Sequence, residues 1–170
     1  MIIILYKETF YMNIEQSIRA KKARDNFNSG YNCSQSVLLA YEDYLQEKGL
    51  DPMTVLRMAS PLGGGISRLR EVCGAVSSLC LLIGLTDGYD TPDDEKKKAL
   101  YSQVQKLVLQ FHDCQGSIIC RDLLGLKQKH DQPTPAKRTK EYYAQRSCAD
   151  LCATAAAIFE EHYLQGHSKI

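Results

Sequence analysis

From Asn13 to Tyr163 the apolar residues of this chain recur at three- and four-residue intervals, and no stretch alternates strongly enough to predict a sheet. A period near 3.6 marks helices that bury one face, so the chain reads as all-α. Its 170 residues suit a single domain with one sizeable core. Residues 1–11 read as an N-terminal extension ahead of Met12, and residues 12–170 as the helical domain.

Local signals divide the domain. Asn13 caps a first helix to about Phe27, stopped by Asn28-Ser29-Gly30. Asn32 caps a second from Cys33 to about Lys48, ended by Gly49. Asp51 and Pro52 open a short helix to about Ala59. A glycine-rich loop, Gly63-Gly64-Gly65, leads to a helix over about Leu69–Ile83 that is apolar on most faces and therefore expected to be central and buried. Thr91 as cap and Pro92 in the first turn open a helix to about Asp113. Ile118–Leu124 gives one or two turns, 127–140 an exposed connection, and Ser147–Tyr163 the last helix. The expected architecture is a bundle of five to six helices, with the glycine-rich loop before a buried central helix.

With 21 basic and 20 acidic residues, the net charge of +1 gives no electrostatic case for nucleic acid or an anionic membrane. No apolar run approaches the roughly 20 residues of a membrane helix. The start, Met1 to Lys7, has neither the basic flank nor the apolar length of a secretory signal, so a cytoplasmic location is expected. In a reducing compartment, cysteines serve more often as ligands, catalysts or core residues than as disulfides.

The chain has seven cysteines, an odd number, so at least one thiol cannot pair within the chain. None of the spacings is C-x2-C, which argues against a local zinc finger but not against a site assembled by the fold. Cys33, Cys120 and Cys148 each fall at an expected helix start, where backbone N–H groups favour a thiolate. Cys73 sits one turn into the buried helix, after the glycine loop. Cys80 and Cys152 suit plain packing, and Cys114 lies at a helix end. Gly63, Gly64 and Gly65 would let backbone come close to a ligand, though they match no phosphate-binding pattern. Arg68, Arg70 and Glu71 could pair with one another or tune a thiolate. His112, near Cys114, is a weaker ligand candidate.

The order of these blocks resembles the C_GCAxxG_C_C family of redox-active proteins. The matching segments are Gly30-Tyr31-Asn32-Cys33-Ser34-Gln35, then Gly63-Gly64-Gly65-Ile66 leading to Cys73-Gly74-Ala75, then Gly116-Ser117-Ile118-Ile119-Cys120-Arg121-Asp122, and Cys148 with its alanine-rich helix. The resemblance marks Cys33, Cys73, Cys120 and Cys148 as the family's four cysteines. One position departs: where the family's C-G-A-x-x-G ends in glycine, this chain has Ser78.

Three functions remain open on the sequence. The first is a metal or iron–sulfur cluster held by Cys33, Cys73, Cys120 and Cys148 for electron transfer, with Gly63, Gly64 and Gly65 beside the cofactor. Zinc in the same ligands would be structural. The second is thiol–disulfide chemistry on the same cysteines. The third is a helical scaffold with buried thiols. Either of the first two requires a redox partner that the sequence does not identify. An exposed face on the apolar helix would leave room for a homodimer.

Overall fold

The computed structural model describes residues 14–128 and 130–164. Residues 14–16 are already helical, but Ser17 interrupts them. Helix α1 runs Ile18–Asn28, with the Ser17 hydroxyl accepting from the Ala20 N–H at 2.9 Å. The cap expected at Asn13 lies outside the described residues, as does the extension over 1–11.

Helix α2, Cys33–Leu39, carries the expected cap in full. The Asn32 side chain accepts from the N–H groups of Ser34 and Gln35, and the Gln35 side chain accepts from the Asn32 N–H. The helix does not continue to Lys48. It breaks at Ala40-Tyr41 and resumes as α3, Glu42–Glu47. Two contacts hold the break: Arg19 Nη1 donates to the Ala40 carbonyl at 2.7 Å, and the Tyr41 hydroxyl donates to the Ala156 carbonyl at 2.6 Å. The buried Tyr41 ring stands edge-on to Phe159, with centroids 5.1 Å apart.

Helix α4, Pro52–Ala59, opens on Asp51 as expected. A 3₁₀ turn, Ser60–Leu62, and an irregular turn, Gly63–Ile66, follow. Helix α5 spans Gly74–Asp87, so it starts five residues later than the apolar pattern suggests. Helix α6 spans Asp94–Gln115 and is capped by Asp93, not Thr91. One turn, α7, covers Cys120–Leu123. A short helix that the sequence did not indicate, α8, covers Lys140–Ala144 at the end of the exposed connection. Helix α9 spans Cys148–Phe159 and widens into a π turn over Glu160–Leu164.

The bundle is all-α, as expected, but its centre is α9, not α5. Every residue from Leu151 to Phe159 is buried, whereas Leu81 on α5 is 47% exposed. Five alanines in α9 keep its surface low, and α1, α2, α5 and α6 all pack on it.

Ser78, at the position where the family pattern has glycine, is fully buried and paired. Its hydroxyl donates to the Ser34 carbonyl at 2.8 Å and lies 2.7 Å from the Ser34 hydroxyl. This joins α5 to the first turn of α2, next to Cys33. Ser78→Gly should therefore lower the stability of the reduced protein by about 2 kcal/mol in urea denaturation, from a lost hydrogen bond and glycine's backbone entropy. A variant as stable as the wild type would show that the hydroxyl pair contributes nothing.

Candidate functional site

The segment between the glycine turn and α5 is not helical. Gly64, Gly65, Ile66, Ser67 and Arg68 all have φ between 48° and 73°, and Arg70 has φ 64°. L-residues rarely adopt this left-handed region, and each one held there costs on the order of 1–3 kcal/mol. Contacts with the following chain hold it. Arg68 Nη2 and Arg70 Nη2 both reach Asp131 Oδ2, at 2.6 and 2.8 Å, and Arg68 Nε donates to the Gln132 carbonyl at 2.6 Å. Arg70 and Arg68 together hold the Asp131 carboxyl at about 2.

The same segment then runs antiparallel to the approach to α7. Val72 bridges Ile119, the Cys73 N–H donates to the Ile118 carbonyl at 2.8 Å, and the Cys120 N–H donates to the Glu71 carbonyl at 2.7 Å. This short pairing joins the segments that carry Cys73 and Cys120. Two glycines allow the approach. A Cβ on Gly65 would come within 2.7 Å of the Cys120 Cβ, and one on Gly74 within 2.6 Å of the Cys33 sulfur.

The four cysteines singled out by the sequence meet. Cys33, Cys73, Cys120 and Cys148 line one cavity of about 60 Å³. Phe27, Leu124 and Leu151 supply apolar wall, and Arg70, Arg138 and Arg146 supply positive charge. Cys33, Cys120 and Cys148 are each the first residue of a helix. Cys33, Cys73, Cys120 and Cys148 are all free thiols.

Only one of those three thiols is lowered, and its own helix start is the least of the causes. Cys33 is lowered to about 6, chiefly by a hydrogen bond from Cys73 and then by the backbone N–H groups of Gly64, Gly74 and Ser34, against the cost of burial. Burial instead raises Cys120, although Arg70 Nη1 lies 3.9 Å from its sulfur. It pushes Cys148 up to about 12, helped by the negative charges of Cys33 and Cys120. Cys73 is raised well above its ordinary value, first by hydrogen bonding to Cys33 and then by burial. Desolvation therefore outweighs the helix dipole except where direct donors reach the sulfur.

The remaining cysteines stand apart from the cavity. Cys152 lies behind Cys33 and donates to its carbonyl at 3.5 Å. Cys80 lines an apolar groove on another face, and Cys114 is half-buried at the end of α6. His112 is exposed beside Asp113. Gly64 lines the cavity; Gly63 lies against the Asn32 side chain and Gly65 against Cys120 and Glu71.

Sequence reasoning missed Arg138, Tyr142 and Arg146, which sit in and after the connection read as exposed. The Arg138 and Arg146 guanidiniums each lie 4.8 Å from the Tyr142 ring centroid, and Arg138 also stacks on Phe27 at 4.5 Å. Among the described residues neither arginine forms an ion pair. No group of three or more His, Cys, Asp or Glu side chains among those residues is placed to hold a metal ion. No helix among them is long and apolar enough to cross a membrane.

Neither curated proteins nor solved structures gave a match to this chain. A family model does match residues 31–162, under the description "Putative redox-active protein (C_GCAxxG_C_C)". That span takes in all four cavity cysteines and most of the chain, and the protein belongs to the C_GCAxxG_C_C family.

Proposed function

We propose that this protein is a thiol–disulfide redox protein in which Cys33 is the attacking thiolate and Cys73 the resolving thiol. The observation that carries the reading is that Cys33 and Cys73 line one small cavity, with Gly74 against the Cys33 sulfur, where Cys73 and neighbouring backbone N–H groups hold Cys33 below its ordinary range. A thiolate near neutrality beside a protonated thiol is the pairing that exchange chemistry needs. The Cys33 thiolate attacks one sulfur of an oxidised disulfide partner, forming a mixed disulfide and expelling a thiolate. Cys73 then loses its proton, attacks the Cys33 sulfur and expels the second thiolate. One disulfide is reduced, one Cys33–Cys73 disulfide forms, and the Cys73 proton passes to a released thiolate.

The test is thiol counting across a redox titration, with the oxidised bond located by peptide mapping. Loss of two thiols joined as Cys33–Cys73, absent in Cys33→Ser, is the expected result. An unchanged count across the titration would exclude the reading.

A second reading has its own observation: four thiols and three arginines share one cavity whose lining has no carboxylate. A single ion bound by three or four of these thiols does not fit, since no three-ligand group is present among the described residues. A two-iron cluster asks only two thiolates of each iron, and four thiols lining one cavity supply that number. Cys33, Cys73, Cys120 and Cys148 would hold it, Arg70, Arg138 and Arg146 would balance its charge, and it would supply one-electron transfer. Iron and sulfide in protein purified without oxygen, lost in Cys73→Ser, would favour this reading over the first.

A further inference from the structure

A second cleft, of about 440 Å³, adjoins the cysteine cavity. The two share Asn32, Gly64, Arg70, Arg138, Tyr142 and Arg146 as lining. Four guanidiniums face this cleft, the fourth being Arg68, and no aspartate or glutamate lines it. Asp131 reaches Arg68 and Arg70 from behind, so one carboxylate offsets two of the four charges. Arg138 and Arg146 have no carboxylate partner among the described residues, and are held against aromatic rings instead. Arg138 is further fixed by donating to the Phe27 and Tyr31 carbonyls, at 3.5 and 3.2 Å. Arg70, 2% exposed, has its Nε without a hydrogen-bond partner. Pro133, Pro135 and Ala136 form the far wall, so the proline-bearing connection has a place in the site.

A chain with a net charge of only +1 has thus gathered unpaired cations at the mouth of its thiol cavity. The volume is that of a small-molecule site, which typically spans roughly 300–1,000 Å³. Rigid, stacked arginines are suited to binding carboxylates in a fixed orientation. We propose that the cleft admits small disulfides carrying carboxylates beside the S–S bond and presents one sulfur to Cys33. The inference rests on the thiol reading of the adjoining cavity. The exchange is the one already written: the small disulfide is reduced to two thiols while Cys33 and Cys73 are oxidised to one disulfide.

The probes are three small disulfides of different charge: dithiodipropionate, with two carboxylates; hydroxyethyl disulfide, neutral; and cystamine, with two ammoniums. Oxidation of reduced protein by each is timed at low salt, and each rate is divided by that of a free thiol in solution with the same disulfide. Dithiodipropionate should exceed cystamine by about tenfold or more on this scale, a gap that added salt narrows. Arg146→Gln should shrink the ratio at least about threefold, with Arg146→Lys recovering part of it and circular dichroism verifying the fold of both. Because the readout is a ratio within one protein, altered thiol reactivity in a variant cancels. Equal normalised rates, or a ratio untouched by Arg146→Gln, would overturn the cleft assignment and leave the thiol reading standing. No oxidation by any of the three would end the thiol reading, and the cleft assignment with it.

Discussion

In Cys73→Ala, alkylation of Cys33 at pH 7 becomes slower by on the order of tenfold or more. The thiolate is the reacting species, so the rate follows the ionised fraction. In the wild type that fraction is already high at neutrality, because Cys33 is lowered to about 6 and its largest cause is the hydrogen bond from Cys73. The rate should climb through pH 6 and flatten above it. Alanine removes that donor. Three backbone N–H groups remain, opposed by burial. The thiol then moves back toward its ordinary range near 8.5, and the rate should still be rising at pH 8. Cys73→Ser supplies the control. Serine keeps a hydroxyl donor but cannot form a disulfide, so the variant should retain much of the low-pH reactivity while losing the Cys33–Cys73 bond on oxidation. Measuring the pH–rate profile of Cys33 by peptide mapping separates the two contributions. Superimposable profiles for wild type and Cys73→Ala would show that Cys73 does not hold the thiolate.

The helices were legible because their signals are local. Asn32 with Gln35, and Asp51 with Pro52, announce helix starts through contacts within one turn. The errors fall where distant contacts intervene. Nothing near Ala40 in sequence reveals that Arg19 and Ala156 will take up hydrogen bonds there. The apolar run that suggested a helix from Leu69 could not show that 70–73 pairs with 118–121, since that pairing is made by backbone across nearly fifty residues.

The candidate site divides in the same way. The four cysteines stood out by type and order, and the fold brings them together. Their chemistry did not, because a helix start predicts the same lowering for Cys33, Cys120 and Cys148. Burial reverses it for two of them, and burial is a property of the assembled bundle. Arg138 and Arg146 were hidden for a related reason. In a polar, proline-bearing stretch a cation reads as solvated, and only the folded chain shows Tyr142 between them.

The close approach of the glycine turn to Cys120 and Glu71 depends on Gly65, and Gly65→Ala should be the most damaging single-methyl change in the site. The residue has φ 65°, where a Cβ costs about 1–2 kcal/mol by itself. That Cβ would also lie 2.7 Å from the Cys120 Cβ and 2.8 Å from both the N and O of Glu71. These neighbours cannot swing aside. The Glu71 carbonyl is held by the Cys120 N–H at 2.7 Å, and the Glu71 N–H donates to the Gly65 carbonyl at 3.2 Å. Relief requires the two paired segments to separate, and overpacking of this kind adds about 1–3 kcal/mol. The expected loss is about 3 kcal/mol or more in urea denaturation of the reduced protein, a large share of the roughly 5–15 kcal/mol that holds a domain folded. Gly84→Ala is the matched control: that glycine lies inside α5, and an added Cβ would meet nothing within 4 Å. It should gain about 0.5–1 kcal/mol from helix propensity alone. If both variants shift stability by only a few tenths, Gly65 is not what lets the two cysteine-bearing segments meet. If only Gly65→Ala collapses, the position needs glycine because the cavity is built there.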